Sequence, residues 1–587
     1  MKEFSSIFKI QMFKVLLSLP RLTRQSADLD YRVFRNEFSS EPNNDSFRIV
    51  LITFIIFSLM SLFSCSKNSK ELRVAKGAGQ GVYYSLFVRS FADSDGDGIG
   101  DLKGICSKLD YIESLGITGI WLLPIMPSHS YHGYDVDDYY SINPQYGTMQ
   151  DFELLLAECK KRSISLIIDM PFNHSSVHNE WFVASRNPDD AHHSWYRWIE
   201  ASDSRYNTNT NAMGHKLWNE DESYKGNFYA GEFSRSMPDF NHDNPEVRAE
   251  FKRVMKFWLD KGVDGFRFDA AGHLYDLVKL PAGTSDGTSR AVEFWKEMVL
   301  YCKSVNPGCY CVGEVWDSSG IRAQYMTGIF SCFHFDMGDK YIISQINNGN
   351  SVNNSFALMM EKELDRYGQF NAEFTDAPFL TNHDQARAGG LLKGNLAKLK
   401  LAASMYILCQ GVPFVYYGEE LGMKSGALDQ TKRTPLLWDK SIDGLPQSKI
   451  QTTWASEKDC IYNKETLPVS VQEKDKNSLL NFYRRLIKFR NSRDSFVKGK
   501  FAAYSAKDLA NGDSSFDASL LSCWTMESEK ECSLVLNNLG GKQLALKLDE
   551  SWGKAKVVFS TDEKKALIKK GELCIPACST LVLLLEK

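Results

Sequence analysis

Eight short apolar runs, separated by stretches of helical periodicity, constrain what this chain of 587 residues can fold into more than any other feature. They are VYYSLFVRSF (82–91), ITGIWLLPI (117–125), SLIIDMPFNH (165–174), GFRFDAA (265–271), CYCVGEVW (309–316), CFHFDM (332–337), PFLTNHD (378–384) and VPFVYYG (412–418). Between the first two, Leu102, Ile105, Leu109, Ile112 and Leu115 recur at steps of three or four and mark one helix face, and Gly116 follows as a stop. Before the fourth run, Val247, Phe251, Val254 and Phe257 repeat that spacing and Gly262 repeats the stop. SLGITGIWLLP and DKGVDGFRFDA echo each other as successive βα units of one barrel would. Eight strands alternating with helices predict an α/β fold, a (β/α)8 TIM barrel rather than an open doubly wound sheet. No G-x-G-x-x-G fingerprint follows the first strand, which also weighs against a nucleotide fold.

Two segments break the alternation. Residues 175–240 are polar and rich in Asn, Asp, His and Trp, and read as a domain inserted after the third strand. From residue 497 to 587 the pattern changes to SLLSCWT, CSLVLNN, LALKL, KVVF and STLVLLL, short strands that predict a C-terminal antiparallel β-sandwich. The barrel is thereby assigned to 80–174 and 241–496.

Ahead of the barrel, Arg48 precedes an apolar run from Ile49 to Phe63, short for a membrane span and suited to a signal-peptide core. It ends in Leu62-Phe63-Ser64-Cys65 before the polar SKNSKE, an order that resembles the bacterial lipobox. The resemblance implies cleavage before Cys65, lipid on that residue, a tether over 66–79 and an exported protein anchored at a membrane face; a plain signal anchor is the alternative. Residues 1–47 read as an upstream extension without structural role, as from a start codon set too early. The other twelve of the 13 cysteines show no CxxC pair and no zinc spacing, and Cys309 and Cys311 lie in a run that reads as a buried strand.

A net charge of −4 argues against a nucleic-acid partner, which requires a basic face. The 36 Phe, 25 Tyr and 12 Trp are chiefly core formers, although flat rings also stack on sugars. Nothing in the sequence sets an oligomeric state.

Polar residues collect at the strand C-termini, where barrels build active sites. Asp169, Asn173 and His174 close the third strand, Arg267, Asp269 and His273 lie on or after the fourth, Glu314 closes the fifth, and His383 and Asp384 close the seventh. A carboxylate in an apolar strand is costly unless paired or functional, and three at equivalent depth point to catalysis. These segments resemble the short conserved regions of the α-amylase superfamily, glycoside hydrolase family 13: DMPFNH, GFRFDAAGH, GEVW and FLTNHD in order, with MPDFN (237–241) and GVPFVYYGEELGM (411–423) as additional regions. The resemblance spans residues 80–495 and names the inserted segment as domain B.

It implies Asp269 as nucleophile, Glu314 as general acid/base and Asp384 as the third carboxylate, binding sugar hydroxyls. It implies that His174 and His383 bond the sugar at the cleavage site, that Tyr134 of YHGYDVDDYY (131–140) stacks under the reacting ring and that His132 bonds its 6-hydroxyl. Glu314 then needs a raised pKa, while Asp269 must stay ionised, and Arg267, two residues earlier on the same strand face, can hold it so. KRTPLLWD (432–439) resembles the family's R-x-P-x-x-W segment, without an assigned role.

The loop DSDGDGIGDL (93–102) carries Asp93, Asp95, Asp97 and Asp101 around Gly96 and Gly98, oxygen ligands at a spacing suited to Ca²⁺, though no Glu stands at the twelfth position as in an EF-hand. The resemblance implies a first metal site there, with Ile99 among its ligands and Ca²⁺ or in some members Mg²⁺ bound. It implies a second, between domain B and the barrel, from Asn173, Asp239 and His273. The activity implied is retaining hydrolysis of α-1,4 bonds in starch, glycogen or maltodextrins. The alternatives are an exo-acting α-glucosidase or oligo-1,6-glucosidase, an α-glucan transglycosylase, or a non-catalytic glycan-binding lipoprotein.

Overall fold

The computed structural model describes residues 74–587 apart from 207–209, 282, 350–354, 440, 443–444, 447, 510–517, 548–549, 563–566 and 570–571. The signal segment, Cys65 and the first part of the tether lie outside the described residues, and no helix among these is long and apolar enough to cross a membrane.

Eight parallel strands form the central sheet: β1 (Tyr83–Leu86), β2 (Gly119–Leu122), β3 (Ser165–Met170), then, beyond three strands of the insertion, β7 (Gly265–Phe268), β8 (Tyr310–Gly313), β9 (Ser331–Phe333), β10 (Thr375–Ala377) and β11 (Phe414–Tyr416). Their order is β10-β9-β8-β7-β3-β2-β1-β11. The ends meet where Phe379 bridges Phe414 and the Phe414 N–H donates to the Pro378 carbonyl at 2.8 Å, which closes the barrel.

The seventh strand, Thr375–Ala377, lies just ahead of the predicted 378–384 run, which keeps only the Phe379 bridge. Pro378 has no N–H for the ladder, and the Asn382 side chain accepts from the Asp384 N–H at 3.0 Å, which turns the chain out of the sheet. The first strand likewise stops at Leu86 and the chain coils through Val88–Phe91, because the Arg89 and Ala92 carbonyls accept from Gly100 and Asp101.

Both predicted glycine stops are left-handed caps, Gly116 at φ 86° and Gly262 at φ 103°. The helix Pro245–Lys261 begins with Asn244 capping Glu246 N and Pro at its first turn. Its buried Val247, Phe251, Val254, Met255 and Trp258 face the barrel core.

The insertion holds β4 (Trp198–Glu200), β5 (Trp218–Glu220) and β6 (Asn227–Ala230), paired antiparallel as β4-β6-β5 over a small core of Ile199, Leu217, Trp218, Phe228 and Ala230. It returns to the barrel through the His174–Asp239 and Tyr196–Phe240 bridges. At the C-terminus a five-stranded antiparallel sheet is built from Lys500–Ala503, Leu521–Glu527, Glu531–Asn538, Ser579–Glu586 and Lys556–Ser560, in that order, beside a three-stranded sheet. Its middle strands bury both faces. Leu534, Leu536, Leu581 and Leu583 pack into the tail's own core, while Trp524, Val535 and Val582, paired across the strands, join the barrel's cluster.

Candidate active site

Arg267 on β7 sits opposite Asp169 of β3 in the ladder, and its neighbour-but-one Asp269 leaves the strand on the same face. The guanidinium is buried at the barrel mouth. Nη1 donates to Asp169 Oδ1 at 2.8 Å and to Asp269 Oδ1 at 2.5 Å, and Nη2 to Glu314 Oε2 at 2.7 Å. One cation thus ties three carboxylates from three neighbouring strands. Asp169, which in the sequence is marked only by its place at a strand end, is part of this cluster. Its second oxygen accepts from Trp121 Nε1 at 3.2 Å and from the Tyr134 hydroxyl at 3.1 Å.

Burial raises the carboxyl of Asp269 to about 6 against the opposing pull of Arg267. Burial also raises Glu314, opposed by Arg267 and reinforced by the charges of Asp269 and Asp384. Asp269 shares the guanidinium with Asp169 and Glu314, so it lies above the ordinary aspartate range, yet at about 6 it is still mostly ionised at neutral pH. Asp384 differs. Burial works to raise it, but His383, with Arg433 and Arg267, outweighs that and holds it well below the usual carboxylate range. His383 Nε2 is 3.0 Å from Asp384 Oδ2, and Arg433 Nη2 donates to Asp384 Oδ1 at 2.7 Å.

Ala270, next to Asp269, adopts φ 47°, a left-handed conformation that costs a non-glycine residue free energy. This turn aims the Ala270 N–H at Glu314 Oε2, 2.9 Å away, so the backbone after one carboxyl positions the other.

Tyr134 is buried with its ring nearly parallel to that of His383, centroids 5.6 Å apart, and its hydroxyl 2.7 Å from His383 Nε2. His132 Nδ1 accepts from the Tyr134 N–H at 3.1 Å, and burial lowers its pKa. His174 Nε2 meets the Tyr134 carbonyl at 3.2 Å, and burial depresses this histidine to about 4. The structure therefore brings Asp269, Glu314, Asp384, His132, Tyr134, His174, Arg267 and His383 around one barrel mouth.

Two further residues join them. Arg433, from the segment without an assigned role, also pairs with Asp429 at 2.9 Å and lies 3.3 Å from the Tyr131 hydroxyl. Trp316, two residues past Glu314, is 55% exposed and stacks on Phe335 at 4.7 Å. It borders a cavity of about 320 Å³ whose other walls include His273, Asp276, Asp317 and Ile321. An exposed Trp beside a buried acid has a flat face free for a ligand.

In the 93–102 loop, oxygens of Asp93, Asp95 and Asp101 lie within 4.8 Å of one another. Asp93 Oδ1 also accepts from Gly96 N at 2.7 Å and Asp101 Oδ2 from Ser94 N at 2.6 Å, so the backbone folds around the carboxylates. Asp97 Oδ1 accepts from the Ile99 N–H at 2.7 Å, and Asp97 stands outside the converging trio. Three converging oxygen donors fit a hard divalent cation.

The second expected metal site does not fit one. Asn173 and Asp239 do meet, with Asn173 Nδ2 donating to Asp239 Oδ1 at 2.9 Å, but the buried side chain of Lys279 fills the space a cation would take. Lys279 Nζ donates to Asn173 Oδ1 at 3.3 Å and to the His273 carbonyl, and lies 3.8 Å from Asp239 and 4.0 Å from Glu232 and Asp276. The His273 ring turns away to Asp276, at 3.2 Å. A covalently tethered ammonium supplies the positive charge, and a divalent ion beside it would be repelled.

Residues 85–499 match the family model described as "Alpha amylase, catalytic domain", and residues 521–582 match "Alpha-amylase SusG C-terminal domain". Over 464 residues the chain is 39% identical to "Alpha-amylase 3" of Dictyoglomus thermophilum, covering 78% of this chain and 84% of the relative. It is 30% identical over 543 residues to an oligo-1,6-glucosidase of Heyndrickxia coagulans, covering 80% and 94%. Among solved structures, the crystal structure of an α-amylase from H. orenii superposes with a TM-score of 0.76 at 36% identity, over 87% of this chain and 99% of that one.

Proposed function

This chain belongs to the α-amylase family, glycoside hydrolases acting on α-glucans, and from that premise we propose that it cleaves α-1,4-glucosidic bonds of starch, glycogen or maltodextrins with retention of configuration. The observation that carries the reading is the shared guanidinium: Arg267 holds Asp269 and Glu314 against its two Nη atoms at 2.5 and 2.7 Å. That close pairing supports the spacing of about 5–5.5 Å used by retaining enzymes over the wider gap of inverting ones.

In the proposed reaction Asp269 attacks the anomeric carbon while Glu314 gives its proton to the departing glycosidic oxygen. The C–O bond to the leaving sugar breaks as the aspartyl ester forms. Glu314, now ionised, takes a proton from water, the water attacks the same carbon, and Asp269 leaves as carboxylate. Burial favours the protonated Glu314 that the first step requires. Arg267 stabilises negative charge on Asp269 as it departs. Asp384, held ionised by His383 and Arg433, accepts hydrogen bonds from sugar hydroxyls and favours the positive charge that develops on the ring. Tyr134, His132 and His174 line the pocket for the reacting sugar, and Trp316 offers its face to the sugar beyond the cleaved bond.

Asp93, Asp95 and Asp101, with the Ile99 carbonyl, would hold Ca²⁺, or Mg²⁺, in the 93–101 loop, where it would neutralise converging charge and brace the loop; it takes no part in the chemistry. Arg48, the apolar run 49–63 and Cys65 support export and lipid anchoring at a membrane face, which incorporation of labelled palmitate into wild type but not Cys65→Ala would establish.

Reducing-sugar release from starch by wild type and Glu314→Gln tests the main assignment. Loss of about 10²-fold or more is expected. Equal release from both would remove Glu314 from the reaction. Product analysis on amylose, pullulan and isomaltose separates α-1,4 from α-1,6 cleavage, endo from exo action, and hydrolysis from transfer.

A further inference from the structure

Three cysteines meet away from the carboxylates, at the start of the strand that ends in Glu314. Cys302 lies on the helix Gly287–Val305, while Cys309 and Cys311 flank Tyr310 on the same face at the start of β8. All three are buried, and their sulfurs lie within 4.8 Å of one another, with Cys309 and Cys311 3.8 Å apart. A fourth sulfur joins from a third element: Met255 Sδ, on the helix Pro245–Lys261, is 3.2 Å from Cys302 Sγ.

The geometry points to a binding site for a soft, thiophilic cation of the Cu(I) class, held by the thiols of Cys302, Cys309 and Cys311 with the Met255 thioether as neighbouring donor. Metal–sulfur bonds of about 2.3 Å place sulfurs roughly 3.8–4.0 Å apart in tetrahedral or trigonal sites, which the Cys309–Cys311 pair already meets. Hard cations seek oxygen; here the converging donors are sulfur, and a thioether beside thiols favours Cu(I) over ions that demand carboxylate or imidazole. Burial excludes water as a competing ligand.

Binding replaces an S–H bond by a sulfur–metal bond at each thiol that ionises, and one proton leaves to solvent each time; neither sulfur nor metal changes oxidation state. Affinity therefore falls as pH is lowered. The bound ion would tie two helices to the strand that carries Glu314, a brace separate from the aspartate loop at 93–101.

The test is anaerobic titration of the purified chain with Cu(I) against bicinchoninate, followed by sulfur-to-metal charge-transfer absorption in the ultraviolet and by thermal melting. One equivalent resistant to the competitor and a raised Tm are expected. Cys302→Ala with Cys309→Ala should lose that equivalent, and Cys523→Ala, a buried thiol of the C-terminal sheet, should keep it. Met255→Leu, a volume-conserving change, should keep the fold and weaken binding about tenfold, which covers the case in which the double variant does not fold. Wild type that binds no such equivalent, or a folded double variant that retains it, overturns the site. So does a Cys302–Cys309 or Cys302–Cys311 disulfide found by mass spectrometry in protein purified without reductant.

Discussion

Lys279 places its ammonium 3.3 Å from the side-chain oxygen of Asn173, in the seam between domain B and the barrel. The seam is therefore held by a residue of the chain itself. Lys279→Met should strand the buried Asp239 and Glu232 without a counter-charge and cost about 3–5 kcal/mol, read by denaturant unfolding. A loss under 1 kcal/mol would mean that the lysine adds little to the seam.

EDTA should lower Tm by a few degrees through the 93–101 loop alone. Asp93→Asn should melt at the same temperature with and without EDTA, whereas Lys279→Met, though less stable, should show the wild-type response. An EDTA effect that survives Asp93→Asn would place the metal elsewhere.

The pH profile of kcat/KM should fall on the acid side through about 6, where Asp269 takes up a proton and ceases to be a nucleophile. The alkaline limb should come from Glu314, whose acid form donates the proton. Glu314→Gln, assayed on a substrate whose leaving group needs no protonation, should keep the acid limb and lose the alkaline one. An unchanged profile would assign the alkaline limb to a group other than Glu314.

His334 is buried between Asp376, at 3.0 Å, and Glu363, at 2.6 Å, which raise it to about 9 against the effect of burial. Its folded value lies above the unfolded value of about 6.5. The stabilisation is thus complete below about 6.5 and lost as pH climbs through about 9. Glu363 runs the other way: held at about 2, it stabilises above its unfolded value of about 4.5, and that contribution fades as pH falls toward 2. His334→Gln should flatten the loss of Tm between pH 6.5 and 9; an equally steep loss in the variant would assign it to other groups.

Trp316→Ala should raise KM for maltodextrins about tenfold, equivalent to about 1.4 kcal/mol, and leave kcat for a small aryl glucoside unchanged. A fall in kcat for maltodextrin and aryl glucoside alike would mean that Trp316 acts on the reacting centre and not on a remote sugar.

The barrel and the carboxylates were legible in the sequence because each rests on a local pattern. Strand–helix alternation survives in every repeat, and an acid at the end of an apolar strand is conspicuous wherever it stands. Lys279 carries no such mark: in LVKL it looks like any solvated lysine, and only the meeting of Asn173, Asp239 and the His273 carbonyl shows why it is buried. Arg433 was likewise visible only as part of a motif, since its partner Asp384 lies 49 positions away. The sequence places the seventh strand three residues too late: the paired segment is the polar Thr375–Ala377, which has no apolar signal, while the apolar Phe379 and Leu380 that follow keep only the Phe379–Phe414 bridge before the Asn382 turn.

The middle strands of the C-terminal sheet use one face for their own small core and the other for the barrel, so this tail is a wall of the catalytic domain as much as a module of its own. Exchanging it with the tail of a relative would carry away Trp524, Val535 and Val582 and leave the barrel helices open to solvent. Recombination between such enzymes is therefore constrained to cut elsewhere, and heat should melt barrel and tail in a single transition.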